Sequence, residues 1–270
     1  MTLVLSIAYE DSAKDFLELA SHQRISIIFN LKEKKSKISE MAKKLDATSQ
    51  EVSRNFDRLA KAGLVKKETD GYFSLSTFGK AICTQVPSLI FLSQNRKYFE
   101  THNFEDIPLK FIQRIGGLVR GKHIKGFVKV QENWRMIYDN ANEYVYSILS
   151  ELPLDLIELA INKTKNSVKI NNILAESTIV PKGRKQLIEK NDFRKLVQEG
   201  KIERKMQKHN KVVVVLNEKE ACISFPLLDG ESDLSKAFFS DDIPFHEWCL
   251  DYFRYCWHNA DEFRESKIQE

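Results

Sequence analysis

The segment SQEVSRNFDRLAKAGLVKKETDGYFSLSTFGK, from Ser49 to Lys80, narrows the choice of fold more than any other. Val52, Phe56 and Leu59 recur at i, i+4 and i+7, the spacing of one apolar seam on a helix. That leaves Ser49, Gln50, Ser53, Arg54 and Arg58 on its outer side. Gly63 stops the helix, as a glycine just past a C-terminus does. LVKKE and YFSL then alternate like strands, with TDG between them as a tight turn. Ser76 is placed to cap a further helix that runs through Ala81 and Ile82 to Pro87.

Upstream, a first helix is expected to begin near Asp11 or Ser12 and to carry Phe16, Leu19, Ala20, Ile28 and Leu31 inward. KEKKSK, Lys32 to Lys37, reads as a solvated turn. Ser39 then caps a second helix with Met41, Ala42 and Leu45 inside, and Thr48 caps the third. The order helix, helix, helix, hairpin, helix is that of a winged helix–turn–helix.

Such a unit explains the polar outer face. A helix fits the major groove of B-DNA, where its outward side chains meet base edges. On the helix 49–61, Gln50 can pair with adenine and Arg54 with guanine, while Ser49 and Ser53 are short enough to let the helix sit deep. Arg58, a turn further on, is expected at phosphate. The wing, 64–75, carries Lys66 and Lys67 toward the backbone beside the groove. Ser39 and Thr48 lie at helix N-termini, where free N–H groups favour phosphate. Glu51 and Asp57 would oppose phosphate and must point sideways.

The chain of 270 residues is long enough for a second domain, and its 42% apolar content can build one. Beyond about residue 97, EYVYSIL, SVKINNILAES, KIERKMQ, KVVVVLN and ACISFPLL read as strands, the last two as a hairpin across EKE. IPLKFIQRIGGL, VQENWRMIYDNA, LPLDLIELAINKTK, RKQLIEKNDFRKLVQEG and the aromatic PFHEWCLDYFRYCWHNADEF read as helices, the fourth in one or two pieces. Strands alternating with helices imply an α/β domain whose sheet is mostly covered. The expected division is a winged-helix domain at 1–95 and an α/β domain at 96–270, joined through a helical stretch near 83–100.

No apolar run is long enough to cross a bilayer, and the N-terminus lacks a signal-peptide pattern, so a cytoplasmic protein is expected, with no membrane partner. Cys83, Cys222, Cys249 and Cys256 form no CxxC pair. His246, Cys249, Cys256 and His258 alternate with Trp248, Phe253 and Trp257 without zinc spacing, and are read as core. Neither a metal nor a cofactor is expected. A net charge of +4 says little of a partner by itself; the placement of the basic residues decides.

LASHQRISIIFNL and ISEMAKKLDATSQEVSRNFDRLAKAGLVKK resemble the first core helix and the helix–turn–helix of ArsR-like winged-helix regulators. The metal-sensing members of that group carry Cys or His near the recognition helix, and none occurs here between Met41 and Lys67. NRKYFETHNFEDIPLKFIQRIGGL, together with the closing aromatic helix, is similar to the sensor domain of archaeal regulators related to the methanogenesis regulatory protein. The resemblance implies an archaeal transcriptional regulator that binds double-stranded DNA as a homodimer, with a small-molecule effector of unknown identity.

HNKVVVVLN, from His209, resembles the HxK segment of the phospholipase D superfamily. The acidic residue which that family places five positions beyond the lysine is Leu216 here, and no second HxK occurs. A phospholipase D-like fold without the active site is the expectation for the second domain. Three readings therefore stand: a DNA-binding regulator that is not an enzyme, a degenerate phosphodiesterase, and a winged-helix protein-interaction scaffold. In the second domain the basic residues Lys182, Arg184, Lys185, Arg194, Lys195, Arg204 and Lys205 suit an anionic metabolite, DNA flanks or a solvated face. Trp248, Tyr252, Tyr255 and Trp257 suit a pocket, a dimer interface or packing on the sheet.

Overall fold

A computed structural model describes residues 2–268. It divides into two units, Met1–Pro87 and Ser88–Glu270. The division falls within a helix, a few residues before the 95/96 boundary read from the sequence.

The first unit contains α1 (Thr2–Leu19), α2 (His22–Glu33), α3 (Ile38–Leu45), α4 (Ser49–Lys61), the hairpin of β1 (Val65–Lys67) and β2 (Phe73–Leu75), and the start of α5 (Thr77–Gln94). The winged helix–turn–helix order is therefore present. The first expected helix is two helices, however, and it starts before Asp11. No Gly or Pro interrupts residues 2–19. The break comes at Ser21, whose extended backbone (φ −104°, ψ 126°) ends one helix and begins the next. Arg24 secures the junction, donating from Nε to the Glu18 carbonyl at 2.8 Å and from Nη2 to the Leu17 carbonyl at 3.0 Å. Both carbonyls lie in the last turn of α1, where the helix does not satisfy them fully; that of Leu17 also accepts the Ala20 N–H at 3.2 Å.

Ser39 does not cap α3. Lys37 stands at that position, and its backbone N–H donates to the Glu40 carboxylate at 3.1 Å, while Ser39 lies exposed inside the first turn. Val52, Phe56 and Leu59 of α4 are fully buried. Phe56 stacks on Phe73 with ring centroids 4.2 Å apart, so one aromatic pair ties α4 to the wing. At the end of α4, the Leu64 N–H returns to the Leu59 carbonyl at 2.9 Å as Gly63 takes φ +71°. Ser76 caps α5, accepting from the Gly79 N–H at 2.9 Å. A Cβ on Gly79 would lie 1.9 Å from the Leu64 carbonyl oxygen, so only glycine fits there.

The second unit continues with α6 (Arg96–Phe99), α7 (Leu109–Gln113), a 3-10 turn Ile115–Leu118, β3 (Lys122–Lys125), α8 (Phe127–Asn140), β4 (Tyr144–Glu151), α9 (Leu154–Lys165) and β5 (Lys169–Ile179). It ends with α10 (Arg184–Lys190), α11 (Phe193–Gln198), β6 (Ile202–Gln207), β7 (Val213–Asn217), β8 (Ala221–Ser224), β9 (Lys236–Ser240), α12 (Ile243–Asn259), β10 (Asp261–Glu262) and a 3-10 turn Glu265–Lys267. Eight strands make one sheet in the order β10-β6-β5-β4-β7-β8-β9-β3. β4, β5 and β6 are parallel, as strands joined by helical crossovers must be, and the remaining pairings are antiparallel.

Both faces are covered. Ile148, Ile173, Val214 and Leu216 pack beneath α12, α7 and the turn Ile115–Leu118. Val145, Leu149, Ile170, Leu174, Val213 and Val215 pack beneath α8 to α11. This is why β7 is apolar at every position from Val213 to Leu216. Strands β3, β9 and β10 were not read from the sequence. The segment 184–200, expected to be helical in one or two pieces, is α10 and α11, broken where Asp192 takes φ +53°. The four cysteines are buried with free thiols.

Candidate nucleic-acid interface

Helix α4 is positioned from both ends and from beneath. Thr48 caps it: Oγ1 accepts the Glu51 N–H at 3.2 Å, and the Thr48 N–H donates to the Glu51 carboxylate at 3.0 Å. The Thr48 N–H, followed by its hydroxyl, holds the Glu51 carboxyl below the usual range. Glu51 is thus folded back over the helix start, clear of the outer face. It also places a negative charge where Thr48 was expected to help hold phosphate.

Ser49, Gln50 and Arg54 are exposed and Ser53 is half-exposed. Among the described residues none of these four side chains makes a hydrogen bond or ion pair with a neighbour. Spaced at i, i+1, i+4 and i+5, they form one polar stripe opposite the buried seam. Arg58 is different. Its guanidinium grips Glu18 of α1 through both forks, at 2.9 and 2.7 Å. The Arg58 hydrogen bond, with the Arg24 charge, draws the Glu18 carboxyl down against its partial burial. Arg58 therefore braces α4 against α1 instead of standing free for phosphate. Asn55 is likewise engaged, donating to Gln23 of α2 at 2.8 Å.

In the wing, Lys66 is exposed and pairs with Glu68 at 3.0 Å, and Lys67 lies 6.0 Å over the Phe73 ring. The stretch Lys32 to Lys37 is not a free turn. Ser36 is buried and exchanges two backbone hydrogen bonds with Phe73, at 3.1 and 2.9 Å, adding a one-residue third strand beside β2. This brings Lys35 and Lys37 within 4.8 and 4.9 Å of the Tyr72 ring, and Lys35 to 2.6 Å from Asp70. The sequence reading passed over these lysines, whose proximity to the wing depends on a pairing with a strand far along the chain. Lys66, Lys67, Lys35 and Lys37 now form one basic margin beside α4's unit-mate hairpin.

The HxK segment sits in the second unit, between β6 and β7. It lines a cleft of about 380 Å³ with Asp106, Gln207, Asn210, Tyr252, Tyr255 and Asn259, at the carboxyl ends of the parallel strands. His209 is exposed. Lys211 is bound to Asp106 at 2.8 Å and Glu105 at 3.4 Å. Asn210 is buried and clamps the Leu149 and Ile173 carbonyls at 2.8 and 2.9 Å. Leu216 is fully buried in β7. Of the other grouped residues, Cys249 and Cys256 lie in the core on the inner side of α12, and the half-buried His246 contacts the Asn217 carbonyl from Nε2 at 2.6 Å, whereas His258 is exposed and is not part of the core expected for it. No group of three or more His, Cys, Asp or Glu among the described residues is arranged to hold a metal ion. No helix among them is long and apolar enough to cross a membrane.

No protein-family profile matches the chain, and no curated protein matches it. Solved structures do. The archaeal chromatin protein TrmBL2, whose structure shows a novel mode of DNA binding, aligns over 85% of this chain and 88% of its own, with 10% identity and a TM-score of 0.42. The phospholipase D family member Nuc from Salmonella typhimurium aligns over 50% of this chain and 91% of its own, with 12% identity and a TM-score of 0.38. NucT from Helicobacter pylori aligns over 53% and 99%, with 11% identity and a TM-score of 0.40.

Proposed function

We propose that the chain is a DNA-binding transcriptional regulator of the cytoplasm, related to the ArsR-like and methanogenesis-regulator groups, that acts as a homodimer on double-stranded DNA. The observation that carries this reading is the stripe Ser49, Gln50, Ser53 and Arg54, exposed or half-exposed and without a hydrogen-bond or ion-pair partner among the described residues, on a helix anchored at both ends. Side chains free on a rigid helix are what base-edge readout requires. The lysines of the wing and of the Lys32 to Lys37 loop supply sequence-independent contacts to phosphate. Ser39 and Thr48 have smaller parts: one is a surface hydroxyl, the other is occupied in a cap. The second unit serves effector sensing or assembly.

The cleft beside His209 is assigned no phosphodiester chemistry. A buried leucine at position 216 and a lysine already neutralised by two carboxylates support that assignment.

The test is selection of bound fragments from sheared genomic DNA with the wild type and Arg54→Ala in parallel. A shared sequence motif that weakens in the variant is the expected result. Equal, salt-insensitive recovery of DNA by both would sink the reading and favour a protein-interaction role.

A further inference from the structure

The sheet face beneath α9, α10 and α11 holds an enclosed space of about 20 Å³, walled by Leu156, Ile157, Leu174, Ile188 and Ile202. That is room for about one water-sized group. Two arginines line the same pocket. Arg184 is 5% exposed, and its Nη1 lies 2.7 Å from Glu265 Oε1. Arg204 reaches Glu265 Oε2 from Nη1 at 3.1 Å, and its guanidinium lies between the rings of Phe263 and Phe193, at 3.9 and 5.0 Å. The Arg204 Nε is buried without a hydrogen-bond partner among the described residues.

Two fixed cations thus share one carboxylate, and one donor is left over. The carboxylate comes from a side chain that is 58% exposed, in the short turn Glu265–Lys267. Paired guanidinium forks select planar oxyanions. Apolar walls with a few convergent polar groups are the usual make-up of a small-molecule site. Beyond the carboxylate itself, the space lined by the two arginines admits about one heavy atom.

We propose that this pocket binds acetate, the smallest aliphatic carboxylate with a carbon tail, its carboxylate replacing that of Glu265 between Arg184 and Arg204 and its methyl group entering the space beside Leu156, Ile157 and Ile188. Glu265 is then a built-in competitor that holds the site while ligand is scarce. The site names a ligand class for the sensing role proposed above. Binding is read without DNA, so its failure and that of the DNA reading are separable.

The experiment is calorimetric titration of the full chain with sodium acetate, against acetamide and matched sodium chloride. Glu265→Gln removes the competitor, and we expect it to bind acetate at least about tenfold more tightly than the wild type, the scale of one lost charge-assisted contact. Acetamide should bind neither, and Glu265→Gln with Arg204→Met should lose the gain. If that double variant does not fold, the acetate and acetamide titrations of Glu265→Gln decide alone. Equal acetate affinity in wild type and Glu265→Gln, or equal affinity for acetamide, overturns the proposal.

Discussion

In the N-terminal unit, Ser49, Gln50, Ser53 and Arg54 stand on the outer stripe of α4 without a hydrogen-bond or ion-pair partner among the described residues. In the C-terminal unit, among the described residues, buried polar atoms without partners include His123 Nε2, Arg204 Nε and Asn210 Oδ1. The two arrangements suit different targets. A duplex is too large to enter a fold, so its reader must display side chains on a rigid surface. A small acid can be surrounded, and orphaned donors inside a covered sheet are worth more there because water does not compete. The arginines show the contrast most directly. Arg54 is exposed and free, Arg58 is exposed but gripped by Glu18, and Arg184 is buried against Glu265.

The strongest way to break this contrast is to remove the centre of one unit. Phe56→Ala takes away a fully buried ring stacked on Phe73, and we expect a loss of about 3–5 kcal/mol in the transition of the N-terminal unit. Urea unfolding followed by separate probes in the two units checks this; a matching loss in the C-terminal unit would erase the distinction between them.

The next effect belongs to the C-terminal unit. Asp233, 5% exposed, accepts from His102 Nε2 at 2.9 Å and from the Ser235 N–H at 2.6 Å. Burial alone would raise its carboxyl, but the Ser235 and His102 hydrogen bonds outweigh that and hold it below the usual aspartate value of 3.8. A depressed carboxyl gives stability that is present above the unfolded value and lost as pH falls through the folded one. Asp233→Asn should cost about 2–3 kcal/mol at neutral pH, and should flatten the acid limb of stability below about pH 4. An unchanged acid limb in a pH series of urea midpoints would refute the assignment.

Arg54→Ala should weaken specific DNA binding by about 1–3 kcal/mol, roughly five- to 150-fold, with the fold intact. Arg58→Ala should act instead on stability, since its partner is Glu18. Fluorescence anisotropy and thermal melts on both variants sharpen the difference between a displayed and a gripped arginine. The smallest effect is Thr48→Ala, about 1 kcal/mol of stability from the lost cap, read from the same melts.

The N-terminal unit was largely legible because its signals are local. The seam at Val52, Phe56 and Leu59, the Gly63 stop and the TDG turn each lie within a few residues of what they determine. What escaped notice there was non-local. Glu18 finds Arg58 40 positions away, and Ser36 pairs with Phe73, so neither the bracing arginine nor the anchored lysine loop has a sequence period. The split between α1 and α2 was hidden because Arg24 reads as a surface charge until its carbonyl partners are known. In the C-terminal unit the strands β4, β5, β7 and β8 showed through their apolar runs, while β3 and β10 are short and charged, and β9, as long as β7, offers only the apolar run Ala237 to Phe239. Arg184 and Arg204 were visible only as members of a basic run. Their burial is decided by α9 to α11 and by Phe263, which no spacing announces.

The position of β7 carries a consequence for how this chain avoids self-association while it is being made. Val213 to Leu216 is an uncharged, β-prone run of the kind that seeds stacking between copies when it is exposed. Its partner β4 precedes it in the chain, so a docking strand has already been synthesised when β7 emerges, and β8 follows after three residues to close its other side. The strands left at the borders, KHIK and DE, are short and charged, which makes them poor templates for a foreign strand. Chain order thus limits the time during which the stickiest segment stands open, and the sheet's outermost strands limit what could join it afterwards.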